Sequence, residues 1–156
     1  LMIRRPPRST LSPSSAASDV YKRQSTMSSL VVECKFMIPV RDTIEGFDVI
    51  LQHAAETPPE TYHDVYWDWH DRDDRYRIVE EGIAEDIRAY VEGSPPTTSF
   101  WKSSFTLNGT SAHLVVPEGS VDISGTLTET KTINYVYLQC GTYSSGVTVR
   151  VDDFRV

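Results

Sequence analysis

Residues 62–74, YHDVYWDWHDRDD, are the densest run of chemically versatile side chains in the chain. Written as a β-strand, whose successive side chains point to opposite faces, the run puts His63, Val65, Trp67 and Trp69 on one face and Asp64, Tyr66, Asp68 and His70 on the other. The first set reads as core. The second has the composition of a sugar-binding surface, because carboxylates accept hydrogen bonds from hydroxyls and Tyr66 offers a ring to stack on a pyranose. Tyr135 and Tyr137 of a later strand are candidates to join them across a sheet. The competing reading is a solvated outer face, since aromatic-rich strands are common in sheets.

The same carboxylates do not make a hydrolase by themselves. A retaining glycosidase needs its two carboxyl groups about 5 Å apart and an inverting one about 6.5–9.5 Å. Asp64 and Asp68 are four residues apart, which at about 3.3 Å per residue separates their backbones by roughly 13 Å. Metal readings are weak for similar reasons. His63 and His70 fall on opposite faces of a continuous strand, and Asp71-Arg72-Asp73-Asp74 lacks the Gly and closing Glu of an EF-hand loop. Asp71, Asp73 and Asp74 remain only as oxygen donors in a charged loop, and His53 and His113 stand alone.

These residues need a sheet to hold them. Residues 30–38 alternate, with Val32, Cys34, Phe36 and Ile38 on the apolar face, and Phe47, Val49 and Leu51 repeat the pattern after Gly46. The pair is expected to form a hairpin with a longer loop. Residues 75–91 fit either a helix, with Val79, Ile83, Ile87 and Val91 every four residues, or two strands broken at Gly82, with Ile83, Ile87, Ala89 and Val91 sharing a face and Glu85 as the exception. Two strands are preferred, because a glycine weakens a helix and the flanking chain is all β. Trp101, Phe105 and Leu107, then Ala112, Leu114 and Val116, mark two more strands around Asn108-Gly109, a short-turn signal, and a weaker strand covers residues 121–128.

Residues 132–156 read as a closing hairpin. Val136, Leu138 and Cys140 share one face of its first strand, and Tyr135, Tyr137 and Gln139 the other. In its second strand Val147, Val149 and Val151 are in phase, whereas Phe154 and Val156 are not, so a bulge is expected near Asp152-Asp153. The total is about ten short strands separated by turn signals, the pattern of an antiparallel sandwich or barrel. Cys34 and Cys140 both fall on inward faces, where they can form one disulfide or stay as two buried thiols. Asn108-Gly109-Thr110 is a glycosylation sequon in a turn. Disulfide and sequon together point to a secretory compartment, hence an extracellular or cell-surface location.

Residues 1–24, LMIRRPPRSTLSPSSAASDVYKRQ, are Arg-, Pro- and Ser-rich without a hydrophobic period. A disordered basic tail and a transit peptide both fit that composition. IRRPPRSTL and SDVYKRQ more closely resemble the peptide made when sequencing-adapter DNA is translated in frame with a transcript, so the segment is set apart from the fold. Residues 25–156 are then expected to be a single β-sandwich domain, and the native N-terminus and neighbouring domains of a longer parent are left open. That domain holds 10 Lys and Arg against 21 Asp and Glu, a balance of −11. So negative a surface repels phosphate backbones and anionic membranes. No run approaches the length of a transmembrane helix. Neither a nucleic-acid partner nor membrane insertion is expected.

The run Trp101-x3-Phe105-Thr-Leu-Asn-Gly-Thr110, followed by Ala112-His-Leu-Val-Val116, Ser124-Gly-Thr-Leu-Thr-Glu-Thr130 and Val151-Asp-Asp-Phe-Arg-Val156, resembles the back half of a concanavalin A-like lectin/glucanase jelly roll, the class that includes laminin G-like domains. Residues 30–51 are similar to its opening strands. The closing strand also resembles that of galactose-binding-like carbohydrate-binding modules, in many of which an acidic residue there helps to hold a structural calcium. Asp152 or Asp153 is the matching position. The resemblance implies an all-β jelly roll of two antiparallel sheets, a non-catalytic carbohydrate-binding or adhesion module, and a polysaccharide or glycan partner. The one-face Glu-x-Asp-x-Glu pattern of glucanases with this fold is absent. A lyase on this fold needs a base, for which His70 and Tyr66 are the available groups, but no lyase motif accompanies them. A polysaccharide-degrading enzyme is therefore the alternative, with a ligand-free structural sandwich as the third reading.

Overall fold

The structure, a computed structural model, describes residues 20–40, 44–52, 65–81, 85–142 and 149–156. Eleven strands lie among them: β1 (Val20–Met27), β2 (Ser29–Met37), β3 (Ile44–Gln52), β4 (Val65–His70), β5 (Arg75–Glu81), β6 (Glu85–Glu92), β7 (Trp101–Asn108), β8 (Ser111–Val116), β9 (Val121–Thr126), β10 (Ile133–Thr142) and β11 (Arg150–Arg155). They form two sheets, one of six strands in the order β1-β10-β3-β4-β5-β6 and one of five in the order β11-β2-β7-β8-β9, with every pairing antiparallel. The expected two-sheet antiparallel sandwich is the architecture observed. β1 begins at Val20, inside the segment set apart above.

Alternation correctly picks out the inward residues. Val32, Cys34, Phe36 and Ile38, Phe47, Val49 and Leu51, Val65, Trp67 and Trp69, and Ala112, Leu114 and Val116 all belong to one buried core. At its centre Phe36 of the five-stranded sheet stacks on Phe47 of the six-stranded sheet at 5.3 Å, and Trp67 meets both edge-on at 5.6 and 5.7 Å. Such pairs contribute about 0.5–1.5 kcal/mol each beyond the area they bury.

Two expected hairpins are not hairpins. β2 and β3 lie in different sheets, and so do β10 and β11. A strand's pattern tells which face is apolar but not which strand lies beside it. A chain that crosses the sandwich after a turn buries the same residues as one that doubles back. The residues 75–91 do form two strands, β5 and β6, but the ladder slips between Ile78 and Val79. That slip inserts Arg88 as an extra residue and turns Ile87 to the outer face, out of phase with Ala89 and Val91. The bulge foreseen at Asp152-Asp153 is present, as a register shift between Asp152 and Arg155 with Asp153 at φ 51°.

At one side of the sandwich β6 and β9, edge strands of opposite sheets, approach closely. A Cβ on Gly125 of β9 would sit 2.8 Å from Arg88 Cβ and 3.4 Å from its carbonyl carbon. Gly125→Ala should therefore push the two edges apart and cost about 1–3 kcal/mol, the range for overpacking. Equilibrium urea unfolding would show this as a lower midpoint, and an unchanged midpoint would mean that the edges are free to separate.

The connection that carries the chain from β9 to β10 is held by a buried acid. Glu80 takes an inward position of β5, opposite Val65. It accepts hydrogen bonds from the Thr128 hydroxyl at 2.6 Å and the Thr128 N–H at 2.8 Å, and ion-pairs with Arg88 at 2.7 Å and Lys131 at 2.9 Å. Burial alone pushes its carboxyl up, but the hydrogen bonds from Thr128 and Lys131 outweigh burial and hold it at about 2. Burial also pulls the Lys131 ammonium down, and Glu80 and Glu129 more than reverse it.

Candidate functional site

The register of β10, β3, β4, β5 and β6 sorts the outer face of the six-stranded sheet into three rows. The first runs Tyr137, Ile50, Tyr66, Val79, Ile87; the second Gln139, Asp48, Asp68, Arg77, Tyr90; the third Gly141, Gly46, His70, Arg75, Glu92. The first row is apolar and the other two are polar. Tyr66, Asp68, His70, Tyr135 and Tyr137 thus share one face, as the sequence predicted. Asp64, the remaining member of the predicted set, and His63 lie outside the described residues.

Sharing a face does not make all of them accessible. Tyr66 and Tyr137 are each 5% exposed and pack with Ile50 and Val79 as a second, smaller apolar cluster, with Tyr135 half-buried against it and its ring stacked on Tyr137 at 6.0 Å. The predicted stacking of a pyranose on Tyr66 is corrected accordingly: its ring is spent on side-chain packing. Burial also pushes the Tyr137 phenol up, helped by Tyr135.

Asp68 is 3% exposed, and Arg77 directly across from it on β5 takes both carboxylate oxygens, the Nε bond measuring 2.9 Å. Such a forked pair is the strongest side-chain match for a carboxylate. Asp68 is therefore a positioning group and not an open acceptor for sugar hydroxyls. Arg77 was missed in the sequence, although a signal existed: folding β4 back through residues 71–74 pairs His70 with Arg75 and so Asp68 with Arg77.

The accessible part is the third row with its neighbours. Tyr90 is 57% exposed, and the Arg75 guanidinium lies over its ring at 4.7 Å. A cation so placed is drawn to the ring's negative face and fixes the ring's orientation. His70 is half-buried beside Arg75; among the described residues its Nδ1 makes no hydrogen bond, and it lies 3.7 Å from Asp73 Oδ2. A single 3-10 turn (Asp71–Asp73) with Asp74 in the left-handed conformation at φ 50° reverses the chain here. Backbone and ring contacts brace the corner: Gly93 N–H donates to Asp74 O at 2.7 Å, Trp69 Nε1 to Gly93 O at 3.0 Å, and the Tyr76 hydroxyl to Ser94 O at 3.1 Å. Tyr90 and Arg75 escaped the sequence reading because they fall in the stretch whose secondary structure was ambiguous.

The other predicted positions lie elsewhere. Cys34 and Cys140 stand on strands of opposite sheets and are not joined to each other in the structure. Cys34 Sγ is 3.1 Å from Ser103 Oγ across the β2–β7 pair. Burial pushes Cys34 up to about 12 against that hydrogen bond, and burial with the Asp48 charge raises Cys140 to about 11, so neither is a ready nucleophile.

Asp152 and Asp153 form the bulge of β11. Asp152 Oδ1 accepts the Asp153 N–H at 3.0 Å, and Lys35 Nζ sits 2.6 Å from Asp153 Oδ2. Among the described residues no three His, Cys, Asp or Glu side chains cluster as metal ligands. Asp71, Asp73 and Asp74 bound the corner next to His70. Asn108 is exposed at the β7–β8 turn.

The sequence matches no protein-family model and no curated protein sequence. Solved structures do match. A carbohydrate-binding module CBM66 from Bacillus subtilis superposes with a TM-score of 0.63 at 8% identity, over 95% of this chain and 90% of that one. Congerin II with lactose bound matches with a TM-score of 0.60 at 10% identity, over 90% and 98%. CG-16, a homodimeric agglutinin from chicken liver, matches with 0.54 at 15% identity, over 87% and 100%. At such identities the likeness is one of fold alone: a jelly-roll β-sandwich, consistent with the concanavalin A-like fold that the strand pattern resembles.

Proposed function

We propose that the chain is a non-catalytic carbohydrate-binding module that takes a glycan at the Tyr90–Arg75–His70 corner of the six-stranded sheet. The observation that carries this reading is the Tyr90 ring, 57% exposed and held by Arg75, beside a stretch of the same face where Tyr66, Tyr137 and Asp68 are covered by packing and ion pairing. Sugars stack their C–H faces on such rings, while Arg75, Glu92 and the aspartates of residues 71–74 supply donors and acceptors for hydroxyls. The fold neighbours are a carbohydrate-binding module, a lactose-liganded lectin and an agglutinin, which supports the same reading. A secreted or cell-surface location accords with it.

The pairing of Asp68 with Arg77 favours binding over hydrolysis. Asp48 and Asp68 are direct cross-strand neighbours, a placement that sets Cβ atoms about 5 Å apart, and a retaining pair needs about that spacing. Arg77 nevertheless holds both Asp68 oxygens in a buried pair, so substrate has no path to them.

Calorimetric titration with lactose and with oligomers of glucose, galactose and fructose tests the proposal. Saturable heat is expected from at least one sugar. Tyr90→Ala should weaken that affinity by about tenfold or more, the equivalent of about 1.4 kcal/mol, while Tyr137→Phe should leave it unchanged. Undiminished affinity in Tyr90→Ala would place the site elsewhere. No heat from any sugar with a folded domain would favour the ligand-free sandwich.

A further inference from the structure

We infer that Asn108 is an acceptor for N-linked glycosylation. Asn108-Gly109-Thr110 has the Asn-x-Thr order of an acceptor sequon, and the fold leaves it free to react. Asn108 closes β7 opposite Ser111 of β8, so Gly109 and Thr110 are the two central residues of the turn. Gly109 takes φ 58°, a left-handed conformation that costs a glycine nothing in sterics.

The turn is braced entirely through its backbone. Gly109 N–H donates to Ser28 O at 2.9 Å, and Thr110 O accepts from Leu127 N–H at 2.8 Å. The Asn108 and Thr110 side chains are both exposed, and among the described residues the Asn108 amide has no hydrogen-bond partner. An oligosaccharide on Nδ2 therefore displaces no contact of the folded domain.

The site is also remote from the proposed binding corner. Asn108 lies at the far end of β7 from Trp101, seven residue steps or roughly 23 Å at about 3.3 Å per residue. The Trp101 end pairs with Phe36, and Ile38 just beyond it bonds to Pro96, at the end of the sandwich that carries residues 70–75 and 92–94. A glycan at Asn108 covers the opposite end.

The reaction joins Asn108 Nδ2 to the anomeric carbon of an oligosaccharide carried on a lipid diphosphate. The C–N bond forms as the bond from that carbon to the diphosphate oxygen breaks. The diphosphate leaves with the electron pair, and the amide gives up one proton. The Thr110 hydroxyl, on the exposed side of the same turn, is the second element the transferring enzyme reads.

To test this, the full chain is directed into the secretory pathway of cultured animal cells behind an added leader, and the chain in microsomes and medium is pooled. Trypsin leaves the sequon in one peptide, residues 103–131, because no Lys or Arg lies between Lys102 and Lys131. Release by peptide-N-glycosidase in heavy-oxygen water marks former glycan sites and separates them from spontaneous deamidation of the Asn-Gly pair. Most of peptide 103–131 should carry the label, with a one-glycan gel shift that Asn108→Gln and Thr110→Ala abolish and Thr110→Ser keeps. Unlabelled peptide from the wild-type pool overturns the inference, as does a shift that persists in Asn108→Gln. The wild-type peptide decides the matter whether or not a variant folds.

Discussion

Arg77→Ala is expected to lower the unfolding free energy by about 3–5 kcal/mol, the cost of stranding one partner of a buried ion pair. Asp68 would keep its charge beneath the outer face of the sheet with its forked partner gone. A domain of this size has about 5–15 kcal/mol in all, so the variant should unfold well below the wild-type urea midpoint. Trp67 and Trp69 in the core are natural fluorescence reporters. The double change Asp68→Leu with Arg77→Met should recover most of the loss, since well-packed apolar residues often replace a buried pair at no cost. A single-variant loss under about 1 kcal/mol, the worth of a surface pair, would show that water reaches the pair.

The second large effect is one of pH. Glu80 is held at about 2 in the fold, against an ordinary value of 4.5. A depressed carboxyl stabilises the folded state above its unfolded value and loses that contribution as pH falls towards the folded one. The window is therefore pH 4.5 down to about 2, and the contribution is on the order of 3 kcal/mol at about 1.4 kcal/mol per pH unit of difference. Glu80→Gln should remove it: wild type and variant should differ most at neutral pH and converge near pH 2. Many other carboxylates titrate in this window, so the difference between the two curves is the quantity to measure. Parallel curves would mean that Thr128 and Lys131 do not hold the ionised form.

Both predictions rest on residues whose roles alternation alone does not reveal. Trp67 and Trp69 declare themselves as core because they alternate with polar neighbours, and the phase slip after Val151 announces the bulge at Asp153. What stays hidden is non-local. Asp68 alternates outward and reads as solvated until Arg77 and its neighbours are placed across from it. Glu80 reads as one more polar residue until Thr128 arrives from the β9–β10 connection, 48 positions on. The two false hairpins share this origin, because inward faces are a local property and strand partners are not. The candidate site was legible as a face but not as a corner: Tyr66 and Tyr137 were on it and covered, while the open Tyr90 and the half-buried Arg75 over it lay in the ambiguous stretch.

β1 carries a practical consequence for anyone who trims the chain. It pairs with β10 through Val20 with Tyr137, Tyr21 with Val136 and Lys22 with Tyr135, and after a slip through Met27 with Ile133. A protein started at residue 25 would keep only the last of these and bare a row of backbone donors and acceptors along β10. An open edge of that kind is a template for intermolecular pairing, and its ladder is read through the main chain. The position thus asks for an extended segment and very little for a particular sequence. Restoring almost any short strand-forming leader before residue 25 should keep the trimmed domain monodisperse, which makes the front of this chain a socket that tolerates exchange.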